Sequence, residues 1–89
     1  MSEPAFPWTA SVRVSVGDPR VVSWVEQALR PEASREVPRA SADLRRSSDR
    51  TLELTISARD SGAMRAALNT YLGWIHLSLE TARAAERSG

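Results

Sequence analysis

The chain has 89 residues, which is enough for one small domain with a single modest core. Its composition, 42% hydrophobic and 26% charged, is typical of a globular protein and excludes wholesale disorder. The net charge of +1 argues against a dedicated electrostatic nucleic-acid binder, and the absence of cysteine excludes disulfides and thiolate metal sites. No apolar run approaches the roughly 18 residues of a membrane span, and the N-terminus MSEPAFPW lacks a secretion-signal pattern. We therefore expect a cytoplasmic protein without a membrane partner.

All twelve basic residues are arginine, and lysine is absent. One interpretation is the base composition of a GC-rich genome. The other is functional, because arginine makes bidentate contacts to phosphate and carboxylate groups. Composition alone does not separate the two.

The first half of the chain predicts a strand and a helix. Residues 1–7 read as a flexible N-terminal arm, and residues 8–87 as a single domain. Apolar and polar residues alternate in WTASVRVSVG, which predicts a half-buried strand. Asp18 and Pro19 supply an N-cap and a first-turn proline for a helix that runs to about Arg30, where Pro31 is expected to end it.

The second half predicts a hairpin and a long helix. PRASADLRR alternates and predicts a second strand, SSDR predicts the hairpin turn, and TLELTISA is the clearest strand of the chain. Asp60 or Ser61 is expected to cap the last helix, which runs about 26 residues to the terminal Ser-Gly.

The order of these elements, β-α-β-β-α, predicts an α+β fold. A hairpin makes strands two and three antiparallel, and a helical crossover of the usual hand lets strand one pair with the free side of strand three. We expect a three-stranded antiparallel sheet of order 1-3-2, with both helices on one face. The other face is then polar, with these residues: Thr9, Ser11, Arg13, Ser15, Arg39, Ser41, Asp43, Arg45, Glu53, Thr55 and Ser57.

The last helix is apolar on two sides. At about 100° per residue, one stripe is expected to lie on the sheet: Met64, Leu68, Tyr71, Leu72, Ile75, Leu79 and Ala82. A second stripe of Ala66, Thr70, Gly73, Leu77 and Ala84, flanked by Ala67, Trp74 and Thr81, has no place in that core. Small residues at this spacing allow another helix to approach closely.

The first helix also has more apolar surface than its core contact needs, although less than the last helix. Val22, Val25 and Leu29 are expected to supply its core contact, which leaves Trp24 and Ala28 to the side. Either the two helices cover each other, or another chain covers both, because an exposed tryptophan is unfavourable. We prefer association with another chain.

No catalytic or metal-binding constellation stands out. His76 is the only histidine and lies among polar residues, and neither a nucleophile motif nor a phosphate-binding glycine loop is present. We therefore expect a protein that is not an enzyme by itself and that uses no cofactor or metal.

Four segments resemble a known family over about residues 9–83: L29-R-P-E, V37-P-R-A-S, L52-E-L-T-I-S-A-R-D and, above all, M64-R-A-A-L-N-T-Y-L-G-W-I. The chain resembles the small dimerisation subunit of the KEOPS complex, which is related to the CTAG/LAGE proteins. KEOPS helps to install threonylcarbamoyl on adenosine 37 of tRNA. In the helix motif, Arg65 and Asn69 match the family, whereas Gly73 stands where a longer, often basic residue is expected.

The resemblance implies a non-catalytic homodimer that bridges two copies of the ATP-dependent threonylcarbamoyltransferase subunit, each bound in a four-helix bundle. We expect that subunit to bind the helix faces bearing Trp24, Ala28, Thr70, Gly73, Trp74 and Leu77. We expect strand two to form the dimer contact, because its polar side chains suit pairing across a two-fold axis: Arg39, Ser41, Asp43 and Arg45.

Two other functions stay open. A stand-alone RNA-binding module would use the arginines of the polar sheet face, Arg13, Arg39 and Arg45, since small α+β sheets bind RNA. That face carries no aromatic residue for base stacking, so tRNA contact is expected to be indirect or weak. The second open function is a dimeric metabolite-binding or regulatory domain, which no sequence motif supports.

Overall fold

The computed structural model describes residues 6–33 and 39–88, with the backbone alone for 86–88. The elements are β1 (Trp8–Ser15), α1 (Pro19–Ala33), β2 (Ala40–Ser48), β3 (Thr51–Ala58) and α2 (Ser61–Ser88). Most of the expected N-terminal arm and the Val37-Pro38 pair of the second resemblance segment lie outside the described residues.

The sheet has the order β1-β3-β2, and both pairings are antiparallel, which confirms the predicted fold. The register places Val12 and Leu44 on either side of Leu54. The hairpin differs in detail from the prediction. Ser48 still pairs with Thr51, so the turn is confined to residues 49–50, and the register shift between Arg46 and Ser48 makes Ser47 a β-bulge.

Aspartates cap both helices, as expected from the sequence. Asp18 Oδ1 accepts a 2.9 Å hydrogen bond from the Arg20 amide in the first turn of α1. Asp60 Oδ1 accepts a 2.8 Å bond from the Ala63 amide, which selects Asp60 over Ser61 as the cap of α2. Each side chain satisfies an amide that has no partner within its helix.

The sequence predicted that helix α1 ends at Pro31, but the helix continues through Ala33. A proline inside a helix removes one hydrogen bond. Tertiary contacts offset this loss, because Ala33 is buried and the Glu32 carbonyl accepts a 3.1 Å hydrogen bond from the Tyr71 hydroxyl on α2.

The core lies between the sheet and the two helices. Leu52, Leu54, Ile56 and Ala58 of central strand β3 are all at most 1% exposed. Helix α1 contributes Val22, Val25 and Leu29, as predicted. From α2 the buried members of the expected stripe are Met64, Ile75 and Ala82, whereas Leu68, Tyr71 and Leu79 are partly buried.

One position of α2 differs from the prediction, and one buried polar residue was not predicted. Leu72 was expected on the sheet but is 47% exposed. It lies at the margin of the stripe, about 60° around the helix from Ile75, and the sheet does not reach under that margin. Ser78 is buried instead, and its hydroxyl donates a 2.8 Å bond to the Trp74 carbonyl within the same helix, which removes the cost of burying it.

The helices cover the sheet unevenly. Helix α1 packs mainly over β2, and α2 packs over β3 with a smaller contact to β1. Ala40 and Leu44 of β2 are therefore buried, whereas Trp8 and Val12, at the same two levels of β1, are exposed and half-buried, respectively. The inner side of β1 keeps contact with water.

Candidate interaction surfaces

Six residues on the two helices form what we call the outer helix face: Trp24, Ala28, Thr70, Gly73, Trp74 and Leu77. All six are exposed. Trp24 is 48% exposed, Trp74 39% and Leu77 54%, so packing of α1 on α2 leaves these large apolar side chains in water. Within this protomer, the two helices therefore do not cover each other's outward apolar side chains.

The backbone of α2 is open at Gly73. A Cβ atom built there would meet no atom within 4 Å. Glycine is therefore not required by packing inside the protomer, although it weakens a helix interior relative to alanine. On the outer helix face, the neighbours of this open position are Thr70 and Leu77, three and four residues away along α2.

Hydrogen bonds hold the two helices in place. The Tyr71–Glu32 bond connects α2 to the last turn of α1. The guanidinium of Arg46 on β2 donates a 2.7 Å hydrogen bond to Ser23 Oγ and a 2.8 Å hydrogen bond to the Asp49 carbonyl. It also lies 3.4 Å from Glu26 Oε1. These contacts bind α1 to the hairpin and thereby fix the outer helix face relative to the sheet.

The role of Arg46 was not foreseen from the sequence. The alternation of β2 placed the position on the inner side, which ordinarily excludes an arginine. The sequence signal for this role is the pair of polar residues Ser23 and Glu26, three apart on α1, which offer the half-buried guanidinium of Arg46 two acceptors on one side of the helix.

A cavity of about 410 Å³ borders the outer helix face. It lies between the first half of α2, the start of β2 and the end of α1. Its walls are mainly apolar, and the lining residues include Ala40, Ala63, Ala66, Ala67, Thr70 and Tyr71. Thr70 belongs to both surfaces, so a partner seated on the outer helix face would also border this cavity.

The polar face of the sheet is held by ion pairs. Glu53 on central strand β3 contacts Arg13 of β1 at 2.9 Å and Arg45 of β2 at 3.1 Å. The hydrogen bonds from Arg13 and then Arg45 lower the pKa of the Glu53 carboxyl below its ordinary value. One carboxylate thus bridges the guanidinium groups of both edge strands.

Arg39 is also paired. Its guanidinium lies 2.6 Å from Asp60 Oδ2, at the start of α2. The Ala63 amide and, second, Arg39 lower the pKa of Asp60. All four expected dimer residues, Arg39, Ser41, Asp43 and Arg45, are exposed. Arg39 contacts the start of α2, whereas the other three lie along β2. Their assignment to a dimer contact stays a prediction.

These pairs bear on the RNA-binding alternative. Each of its three arginines, Arg13, Arg39 and Arg45, already contacts a carboxylate. Phosphate binding would have to compete with that partner. Nothing in the described sheet face favours nucleic acid over protein.

The family-motif residues Arg65 and Asn69 are exposed on α2. They lie about 120° and 160° around the helix from Tyr71, which contacts α1. Asn69, four residues before Gly73, therefore borders the outer helix face, whereas Arg65 lies further around the helix from it. Among the described residues no group of three or more histidines or carboxylates is placed to hold a metal ion, and no described helix is long and apolar enough to cross a membrane.

Comparison with known proteins identifies the family. The family model described as transcription factor Pcc1 matches residues 9–83, which is most of the chain and includes every described strand and both helices in whole or large part. No curated protein matches the chain. The matched range contains the helix motif and the whole outer helix face. The chain belongs to the Pcc1 family, the family of a small KEOPS subunit, and its role is associated with that tRNA-processing complex.

Proposed function

We propose that this chain is a non-catalytic dimerisation and scaffold subunit of the KEOPS complex. As a dimer it bridges two catalytic subunits and so supports formation of N6-threonylcarbamoyladenosine at position 37 of tRNA. Membership of the Pcc1 family supports the association with KEOPS. The outer helix face supports the finer role.

The observation that carries the proposal is the exposure of Trp24, Trp74 and Leu77 on adjoining helices. Aromatic and aliphatic side chains of this size are the usual anchors of protein interfaces, and their burial removes a large apolar area from water. Ala28, Thr70 and Gly73 lie among them and offer little steric resistance to a closely packed helix. The surface suits a pair of helices that extends the existing helix layer.

The partner assigned to this face is the ATP-dependent threonylcarbamoyltransferase subunit, bound through a helical pair as a four-helix bundle. The chemistry and its cofactors then belong to that subunit. This chain contributes position, and tRNA contact from its own sheet face is weak because the arginines there are paired with carboxylates.

Co-purification with the catalytic subunit tests the assignment. Leu77→Glu and Trp74→Glu each place a charge in the centre of the proposed contact, and each is expected to abolish co-purification while the isolated dimer persists. Leu72→Glu is the matched control, since Leu72 is similarly exposed on the same helix but lies about 140° away from Leu77. Retention of the catalytic subunit by both outer-face variants would overturn the assignment.

A further inference from the structure

The outer helix face contains one complete hole for a side chain of a facing helix. Such a hole is formed by four residues of one helix spaced i, i+3, i+4 and i+7. Thr70, Gly73, Trp74 and Leu77 have this spacing, and all four are exposed. Gly73 adds no side chain to the wall, and a Cβ atom built there would meet no atom within 4 Å. This set, which we call the glycine hole, therefore has room for a large side chain.

The cavity beside the outer helix face contains the equivalent set one heptad earlier. Ala63, Ala66, Ala67 and Thr70 line it and have the same i, i+3, i+4 and i+7 spacing. Three of the four are alanines, and their short side chains leave the space of about 410 Å³ open. We call this set the alanine hole. It shares Thr70 with the glycine hole.

Neither hole serves the stability of the isolated protomer. Glycine weakens a helix interior relative to alanine, and no atom of the protomer approaches Gly73 closely enough to require it. The mainly apolar walls of the alanine hole, like the side chains of Trp74 and Leu77, remain in contact with water. An apolar occupant from another chain would remove this surface from water in both places, whereas a charged occupant would lose its hydration without gaining a partner.

We propose that one helix of the catalytic subunit packs along α2 and places a large apolar side chain in each hole. The two occupants then lie seven residues apart in the sequence of that helix. The inference rests on the proposed function and specifies which feature of the catalytic subunit this chain recognises.

The positions of the two holes suit a single facing helix. Seven residues of an α-helix span about 10.5 Å, and Ala66 and Gly73 lie within about 20° of each other around α2. Both holes therefore open toward the same side. A helix that crosses α2 at about 20°, as in four-helix bundles, keeps its side chains in register with holes one heptad apart. A steeply crossing helix would reach only one of them.

Filling each hole from within this chain tests the proposal. Gly73→Leu and Ala66→Leu are each expected to weaken binding of the catalytic subunit at least tenfold in isothermal titration calorimetry, because each added side chain occupies the space of the partner's. Both positions are exposed, so neither change disturbs the core, and thermal unfolding confirms that each variant is folded. His76→Leu is the control, because His76 is exposed on the same helix outside both holes, about 100° from Leu77. Its affinity is expected to equal that of the wild type. Wild-type affinity of folded Gly73→Leu or folded Ala66→Leu would overturn the two-hole contact.

The spacing of the occupants is tested on the catalytic subunit. Alanine substitution of each large apolar residue in its helical pair is expected to identify two positions seven residues apart on one helix. Truncation of one is expected to restore binding of Gly73→Leu, and truncation of the other to restore binding of Ala66→Leu. If no such pair of positions exists, the proposed register is wrong. If the two wild-type proteins do not bind each other at all, the proposed function itself fails.

Discussion

Arg46 Nη1 lies 2.7 Å from Ser23 Oγ, which bonds the end of β2 to the second turn of α1. The same guanidinium donates to two backbone carbonyls of the hairpin, Ser48 at 3.3 Å and Asp49 at 2.8 Å. A single side chain thus fixes the hairpin, the bulge and the helix that carries Trp24.

We expect Arg46→Met to lower the free energy of unfolding by about 1–3 kcal/mol, because the change keeps the apolar stem but removes the donors to partly buried acceptors. Urea denaturation measures the effect. Arg45→Met is the control, since the Arg45 side chain is 72% exposed and an exposed pair contributes little. Equal losses for the two variants would contradict the structural role of Arg46.

Gly73→Ala is expected to stabilise the isolated protein by about 0.5–1 kcal/mol. Alanine is the better helix former, and the added methyl group meets no atom within 4 Å. Thermal unfolding measures the gain. A lower melting temperature would show that the backbone at Gly73 is not free in the folded protein.

Stability is expected to fall in acid. The pKa values of Asp18, Glu53 and Asp60 are lowered in the folded state by hydrogen bonds from Arg20, from Arg13 and Arg45, and from the Ala63 amide. A carboxyl group whose pKa is lower when folded stabilises the fold above its unfolded pKa, near 4, and this contribution is lost as the pH falls through the folded value.

Urea midpoints at pH 7 and pH 3 measure this loss. Glu53→Gln removes one of the three carboxylates and is expected to flatten the pH dependence below pH 5 relative to the wild type. A midpoint that stays constant between pH 7 and pH 3 would contradict the role given to these ion pairs.

The protein alone is expected to bind tRNA weakly, with a shallow dependence on salt, because Arg13, Arg39 and Arg45 are paired with carboxylates. A salt-dependent fluorescence titration measures both quantities. Glu53→Gln releases two of these arginines and is expected to strengthen binding. Submicromolar affinity of the wild type with a steep salt slope would instead favour the RNA-binding module.

The fold could be predicted from the sequence because its signals are local and agree with one another. Alternation marked the three strands, and Asp18 and Asp60 marked the helix starts. The end of α1 could not be predicted, since the bond between Tyr71 and the Glu32 carbonyl joins residues 39 positions apart and overrides the local effect of Pro31.

The surfaces were harder to predict than the fold. A helical wheel separates Leu77 from the core correctly, but it does not show where the sheet ends, and Leu72 was therefore placed inside. The bulge at Ser47 could not be read from the alternation of β2, and alternation places Arg46 on the inner side without showing its contact with Ser23 of α1.

The most direct test of the scaffold is native mass spectrometry of the protein, alone and mixed with the catalytic subunit. We predict a dimer alone and a complex of two copies of each subunit in the mixture. The Leu77→Glu protein is predicted to stay dimeric and to remain unbound. A wild-type protein that is monomeric alone, or a mixture in which no joint species forms, would contradict the proposed function.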